Sequence, residues 1–217
     1  MSLFYIITIL FSIIGMIVSN LLKSKFNKYS RIPISAGLSG AEVAKNMLSY
    51  YGIHDVKIQV AHGILTDHYN PLNKTVNLSA DVYNGRSIAS AAVAAHECGH
   101  AVQHATKYPF LQLRSGIVPI VKIASIAQQY LLFVAFITLN TMPQIMWITV
   151  IAFGITTLFS FLTLPVEFDA SNRALKWLKS SGIAVGEEYQ GAKDALKWAA
   201  MTYVVAALSA LVMFIYL

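Results

Sequence analysis

The sequence predicts a mainly α-helical membrane protein with about four transmembrane helices and a small cytoplasmic α+β domain. Of the 217 residues, 56% are hydrophobic and only 12% are charged, whereas a soluble domain usually carries about 25% charged residues. The apolar residues are concentrated in long uncharged segments, and the region after the first segment has the composition of a soluble domain. The single cysteine, Cys98, excludes an internal disulfide framework and fits a reducing compartment.

The first apolar segment covers residues 3–22 and contains no charged side chain. Its length is sufficient to cross a hydrocarbon core of about 30 Å. A cleaved signal peptide is the alternative, but no basic region precedes the segment and no small-x-small cleavage site follows it. The positive-inside rule assigns the following basic residues to the cytoplasm; they are Lys23, Lys25, Lys28 and Arg31. We therefore expect an uncleaved anchor with its amino terminus outside.

The soluble region begins near Ser30 and is predicted to contain one helix followed by three strands. Ser39 and Glu42 have the spacing of a capping box, and Gly52 can end this helix in the left-handed conformation. Alternating or β-branched residues predict the strands, which cover residues 56–60, 64–69 and 75–78. The turn at residues 70–73 joins the last two strands into a hairpin.

An alanine-rich helix predicted over residues 86–106 carries the chemically most informative motif of the chain. Its sequence His96-Glu97-Cys98-Gly99-His100 places two imidazoles one turn apart on the same helical face. Two such histidines can bind one zinc ion, with Glu97 beside the metal as a general base. A catalytic zinc site also needs a third protein ligand and an open position for water.

Three further apolar segments complete the membrane part of the prediction. They cover residues 111–139, 145–164 and 198–217, and an amphipathic helix is expected after Pro165. Arg114 and Lys122 lie near the start of the segment 111–139 and can snorkel to the cytoplasmic interface. With these two included, every lysine and arginine falls on one side of this four-span arrangement. The segments assigned to the outside, Met1-Ser2, residues 140–144 and the carboxyl terminus, carry no charged side chain. The distribution of charge predicts that the soluble region lies in the cytoplasm.

The predicted topology selects the third metal ligand. The second and third spans form a hairpin, so the chain after residue 164 returns to the cytoplasmic side. Glu167 is the first acidic residue there, at the start of the amphipathic helix and at the membrane surface. We therefore expect His96, His100 and Glu167 to form one metal site.

Three stretches of the chain resemble a known family, and the similarity extends over essentially the whole sequence. The stretches HECGH, LPVEFDASNRAL and GILTDHYNPLNKTVNLS are similar to the membrane-bound neutral zinc metallopeptidases of the YugP type, and the layout resembles the wider gluzincin class. The resemblance implies a gluzincin-like metallopeptidase domain with a three-stranded sheet before the motif helix. It also implies one Zn²⁺ ion bound by His96, His100 and Glu167, with Glu97 as the base.

The chain departs from related membrane proteases of the HtpX-like type at one position. Those proteins have an aspartate four residues after the ligand glutamate, where this chain has Ser171, and its acidic residue is Asp169. Asp169 lies about 200° around the helix from Glu167, which leaves its supporting role open. Residues considered for support of the ligands or contact with substrate are Asp169, Ser171, Arg173, His68 and His104.

Several of these residues also have simpler interpretations. His104 is one turn beyond His100 and is either a third histidine ligand or a surface residue. Arg173, His68 and His104 are the candidates for stabilising an oxyanion, but Arg173 can instead pair with Asp169 or Glu188. Cys98 points away from the ligands on the helical wheel and is expected to be a packed thiol.

The function predicted from the sequence is a zinc-dependent metalloendopeptidase at the cytoplasmic surface of the cell membrane. Its expected partners are a peptide or protein substrate, which includes membrane proteins, and the lipid bilayer; no nucleic acid is expected, and oligomerisation is left open. The alternative is a non-catalytic zinc-binding membrane adaptor or regulatory protein. The predicted division of the chain is an anchor (1–22), the cytoplasmic domain (23–115), a transmembrane hairpin (116–165), the segment with the third ligand (166–197) and a last span (198–217).

Overall fold

A computed structural model of the chain describes residues 3–138 and 140–217. Its elements in chain order are α1 (Leu3–Ser30), α2 (Gly40–Tyr50), β1 (Lys57–Ala61), β2 (His68–Asn70), β3 (Thr75–Ser79), α3 (Ala80–Asn84), α4 (Ile88–Ala105), α5 (Pro109–Ile137), α6 (Gln144–Ser180) and α7 (Gly186–Tyr216). Two sequence predictions involve residues outside this description: the external dipeptide Met1-Ser2 and the end of the second apolar segment at Leu139.

Within the described part of the chain, four helices are long and apolar enough to cross a membrane, as the sequence predicted. The segments are Tyr5–Ser30, Pro109–Ile137, Gln144–Ser180 and Gly186–Tyr216. Each contains a window of mean hydropathy between 1.8 and 2.2, and each exceeds the length of about 20 residues that a bilayer requires. The fold is therefore mainly helical, with four candidate membrane spans.

The contacts divide the chain into two compact units, and the first consists of apolar helices. It comprises Met1–Ile17, Pro109–Pro165 and Thr202–Leu217. Inside it, the Gln128 side chain donates to Thr156 Oγ1 at 2.7 Å, and Thr157 Oγ1 donates to the Ala210 carbonyl at 3.1 Å. Such polar contacts between apolar helices are typical of membrane bundles.

The second unit comprises Val18–Tyr108 and Val166–Met201 and contains the sheet. Strand β3 is central: it pairs in parallel with β1 and antiparallel with β2. The predicted hairpin is present, and Tyr69 faces Val76 in its register. Because β3 has a neighbour on both sides, its residues are more buried than those of the two edge strands.

The core of this unit is built from helix faces packed against β3. Side chains of α2, β3 and α4 form one buried cluster, joined by residues of α6 and α7. The helix α2 starts as the sequence predicted, because Ser39 and Glu42 form a complete capping box. It also stops as predicted, with Gly52 at a φ of +67°.

The prediction of a strand over residues 64–69 is wrong in its first part. Only His68–Asn70 forms a strand, because Gly63 and Leu65 take positive φ angles of 102° and 57° that an extended strand cannot contain. The Asp67 carboxylate then accepts hydrogen bonds from the backbone and hydroxyl of Ser79 and holds the loop to the end of β3. The short helix α3 was not predicted, since a helix of one turn has no apolar periodicity to detect.

Two helices continue where the sequence predicted an end or a break. Helix α1 runs past the apolar segment to Ser30. It therefore includes Lys23, Lys25 and Lys28, three of the four basic residues that follow the segment. Helix α6 runs through Pro165 without interruption, so the predicted separate helix after this proline is wrong. A proline removes its own N–H donor and crowds the carbonyl four residues earlier. Membrane helices tolerate this better than soluble helices, because neighbouring groups and local adjustments satisfy the freed backbone.

Replacing Ser39 by Ala tests the importance of the capping box for the second unit. The substitution removes the hydroxyl that accepts from the Glu42 backbone, which should lower the free energy of unfolding by about 1 kcal/mol. The measurement is thermal unfolding of the detergent-solubilised chain by circular dichroism. Ser49→Ala, on the exposed side of the same helix, is the matched control, and equal midpoints for the two variants would contradict the prediction.

Candidate metal centre

Helix α4 presents two imidazoles on one face. Its many alanines favour the helix, and its amino end is capped by Ser87, whose hydroxyl accepts from the Ser90 backbone. His96 and His100 lie one turn apart, with ring centroids separated by 4.8 Å and planes at 82°. His100 is buried, and His96 is partly exposed.

Helix α6 supplies a carboxylate that meets both imidazoles. Glu167 Oε2 lies 3.4 Å from His96 Nε2 and 3.5 Å from His100 Nε2, and the Glu167 side chain is almost fully buried. The donor atoms of a tetrahedral zinc with bonds of about 2.0–2.1 Å lie roughly 3.3–3.4 Å apart. The observed separations therefore match those of ligands around a common metal ion.

Among the described residues, these three form the group of side chains that could hold a metal ion. Their donor atoms all lie within 4.8 Å of one another. Two imidazole nitrogens and one carboxylate oxygen suit zinc, and this is also the ligand set of catalytic zinc sites that keep one position open. The residues present thus fit a zinc ion.

The close approach of α4 and α6 depends on Gly99. A Cβ at this position would lie 2.5 Å from the Ala170 carbonyl oxygen and 3.1 Å from its carbonyl carbon. These are backbone atoms that cannot rotate away, so only glycine allows the two helices to approach this closely. The sequence analysis anticipated no specific partner for Gly99, because the packing of α6 against α4 is a long-range contact.

Both histidines of the candidate site are held by hydrogen bonds to Nδ1, on the side of the ring away from Glu167. Ser171 Oγ lies 3.1 Å from His96 Nδ1, and Gln103 Oε1 lies 3.0 Å from His100 Nδ1. Such partners orient a ligating imidazole and fix the nitrogen that faces the metal. Ser171 had been considered on the basis of sequence, but Gln103 had not.

Two carboxylates act on the buried His100 imidazole. Burial tends to lower the pKa of the His100 imidazole, but the Glu167 and Glu97 carboxylates and the Gln103 hydrogen bond raise it above its usual value. Glu97 is 7% exposed, and among the described residues it makes no hydrogen bond or ion pair. Its carboxylate is thus close enough to the site for its charge to act on His100.

Asp169 and Arg173 lie behind the ligands and do not join them. Asp169 Oδ2 accepts from Gln103 Nε2 at 2.8 Å and from Arg173 Nε at 2.6 Å. Of the two acidic partners considered for Arg173, the structure shows Asp169, while Glu188 accepts from Ser35. Asp169 thus contacts a ligand only through Gln103.

The two other histidines considered for the site have partners outside the metal group. His104 Nδ1 lies 2.8 Å from the Tyr69 hydroxyl, and burial together with the charge of Asp55 raises the pKa of Tyr69 to about 12. His68 is exposed at the edge of the sheet, with Nδ1 2.8 Å from the Thr66 carbonyl.

Cys98 is a fully buried free thiol on the face of α4 that packs against α2. Its sulfur lies 3.6 Å from the Ala44 carbonyl. Burial and the neighbouring Glu97 raise the pKa of the thiol well above its usual value. The thiol is therefore an uncharged packing group, as the helical wheel indicated.

Comparison with known proteins gives one family and one curated relative. The family described as "Putative neutral zinc metallopeptidase" matches residues 4–217. The chain is 43% identical over 189 residues to the "Putative membrane protease YugP" of Bacillus subtilis (strain 168), which covers 87% of this chain and 83% of the relative. No solved structure matches the chain significantly.

Replacing Gly99 by Ala should separate the two helices and weaken metal binding. The added methyl group overlaps the Ala170 backbone, so Glu167 can no longer reach both imidazoles. Zinc per protein, measured by elemental analysis after dialysis, should fall well below that of the unmodified chain. Cys98→Ala, a neighbouring change on the opposite face, should retain the zinc. Equal zinc content in the two variants would contradict this account of Gly99.

Proposed function

Since the chain belongs to the neutral zinc metallopeptidase family, we propose that it is a membrane-bound zinc metalloendopeptidase that hydrolyses peptide bonds at the cytoplasmic membrane surface. The observation that carries the proposal is the combination of three ligands with a fourth group that is not a ligand. His96, His100 and Glu167 converge on one point, and Glu97 lies beside them without a partner among the described residues. A tetrahedral ion held by three protein ligands keeps one position for water or substrate.

His96, His100 and Glu167 would hold the zinc ion, which would supply a Lewis acid that lowers the pKa of a water molecule and polarises the substrate carbonyl. Glu97 then acts as the general base: its carboxylate takes a proton from the water as the water oxygen attacks the carbonyl carbon. The same carboxylic acid delivers this proton to the amide nitrogen as the C–N bond breaks. The products are a carboxylic acid and an amine, and Glu97 returns to its starting charge.

The non-catalytic alternative makes a different demand on the site. A structural zinc ion is normally enclosed by four protein ligands and needs no base beside it. Both the three-ligand group and the position of Glu97 favour catalysis over a zinc-binding adaptor. We assign the domain to the gluzincin-like class on the same grounds, with the sheet before α4 and the glutamate ligand on a later helix.

We propose that the substrate is an extended peptide segment. Strand β2 lies at the edge of the sheet, paired only with β3 among the described strands. It precedes the motif helix by a short stretch of the chain. An extended peptide can add to such an edge by β-augmentation. Polypeptides that are themselves membrane-bound fit this role, because the enzyme has four apolar helices of spanning length.

The proposed location rests on the distribution of charge along the chain. Basic residues follow the first apolar segment, and the turn between α5 and α6 carries no charged residue. The positive-inside rule then assigns the second unit to the cytoplasm. The basic residues near the end of α1 would contact anionic lipid head groups, and we assign them no nucleic-acid partner.

Glu97→Gln should separate metal binding from catalysis. The amide keeps the size of the side chain but cannot accept the proton of the water, so cleavage of a peptide library should fall by a factor of about 10²–10⁴. Zinc content should be unchanged. The comparison variant Glu167→Gln should lose zinc as well as cleavage. A Glu97→Gln variant that still cleaves would contradict the assignment of the base, and a chain that binds no zinc would contradict the proposed function.

The proposed orientation predicts which engineered cysteines a membrane-impermeant maleimide can label. In whole cells that produce a Cys98→Ala background, Thr141→Cys should be labelled, because this exposed turn residue is assigned outside. Lys176→Cys, an exposed position of α6, should be labelled only after permeabilisation. The opposite pattern would contradict the cytoplasmic location of the site.

A further inference from the structure

Gln103 is a fully buried amide that contacts both helices of the metal centre. Its side chain is 0% exposed and lies one turn beyond His100 on α4. The amide reaches three partners: His100 Nδ1 at 3.0 Å, the Val166 carbonyl at 2.8 Å and Asp169 Oδ2 at 2.8 Å. Moving this buried amide away from its partners would be energetically unfavourable, because each polar group left unpaired has lost its hydration without gaining a hydrogen bond.

The chemistry of the partners fixes the orientation of the amide. The Val166 carbonyl can only accept hydrogen bonds, and Asp169 Oδ2 accepts from Arg173 Nε as well as from Gln103. Both must therefore face the NH₂ group of Gln103, whose two protons they use. A flipped amide would place its oxygen against two other acceptors, so only one orientation satisfies the group. The Gln103 oxygen consequently faces His100.

This orientation determines the proton position on His100. An amide oxygen has no proton to give, so His100 Nδ1 must be the donor. The neutral ring then has its lone pair on Nε2, which is the nitrogen that faces Glu167 Oε2. His96 differs, because the Ser171 hydroxyl can either donate or accept and does not select a tautomer.

Gln103 also connects the histidine to the backbone of the third ligand. The Val166 carbonyl belongs to the residue immediately before Glu167, and Asp169 is itself held by Arg173. One side chain thus links a ligand on α4 to the turn of α6 that carries the other ligand. A shift of either helix would stretch these hydrogen bonds.

We propose that Gln103 is the positioning residue of the zinc site: it holds His100 in the Nδ1-protonated form and fixes the Glu167 turn of α6 relative to α4. The inference rests on the zinc site of the proposed function, but it does not depend on peptidase activity. It goes beyond the ligand set, since neither the motif nor the family description assigns a role to this amide.

The first test compares zinc affinity in Gln103→Met with that of the unmodified chain. Methionine has a similar length but forms none of the three hydrogen bonds. Zinc affinity of the detergent-purified protein, measured by competition with a chromophoric chelator, should fall by about 10–100-fold, the usual effect of removing a partner of a metal ligand. Gln190→Met, at an exposed position of α7, is the matched control and should bind zinc as the unmodified chain does.

The second test reads the tautomer directly and includes a rescue. In zinc-free ¹⁵N-histidine-labelled protein, where no metal fixes the tautomer, the His100 signals, assigned by their absence from a His100→Asn variant, should show a protonated Nδ1. The single variant Gln103→Glu places its carboxylate against Asp169 and should bind zinc weakly. In the double variant Gln103→Glu with Asp169→Asn, the amide introduced at position 169 can donate to the carboxylate at position 103, but the Val166 carbonyl still lacks a donor. The double variant should therefore regain part of the affinity lost in the single variant and keep the Nδ1 proton.

The outcomes separate this inference from the proposed function. An unmodified chain that binds no zinc would overturn both. Zinc binding by the unmodified chain together with a Gln103→Met affinity within about threefold of it would overturn the inference alone. A reduced affinity with an unchanged His100 tautomer in Gln103→Met, and no recovery in the double variant, would show an unspecific packing role and would also overturn it.

Discussion

The backbone contact between α4 and α6 at Gly99 and Ala170 is the constraint on which the site depends. A side chain at position 99 would overlap the Ala170 carbonyl. The two helices can therefore approach this closely only because position 99 is a glycine. The approach brings the buried carboxylate of Glu167 within 3.4 and 3.5 Å of two imidazoles. Without it, His96 and His100 would form an incomplete two-ligand motif on a single helix.

The two histidines of the site are supported in different ways. His100 is buried, and the Gln103 amide oxygen requires its proton to be on Nδ1. His96 is partly exposed, and its partner is the Ser171 hydroxyl, which can either donate or accept a hydrogen bond. A ligand with a fixed tautomer gives the site a defined geometry before metal enters.

The sequence predicted the parts of the fold that are encoded locally or by membrane crossings. The spacing of His96 and His100 follows from the helix, and the capping box of Ser39 and Glu42 is a local pattern that the structure reproduces. Glu167 was selected because the order of apolar segments returns the chain to one side of the membrane. Each of these predictions required only the periodicity of the α-helix, a short sequence motif or the number of membrane-spanning segments.

The features that the sequence analysis missed depend on long-range packing. Gln103 has no recognisable motif, and two of its partners lie on α6, far along the chain. A proline usually indicates the end of a helix or a kink in it. Helix α6 nevertheless continues through Pro165, because the neighbouring turns keep their hydrogen bonds. The shortened strand β2 results from positive φ angles at Gly63 and Leu65. Leucine rarely takes a positive φ, so the sequence does not predict this conformation.

The ligand set is the central claim, and zinc K-edge X-ray absorption of the detergent-purified protein tests it most directly. The spectrum should contain two imidazole nitrogens and two oxygens, one from Glu167 and one from solvent, at about 2.0–2.2 Å, with no sulfur near 2.3 Å. Glu167→Gln should lose the metal. A sulfur at bonding distance, which would implicate Cys98, or a third imidazole, which would implicate His104, would contradict the account.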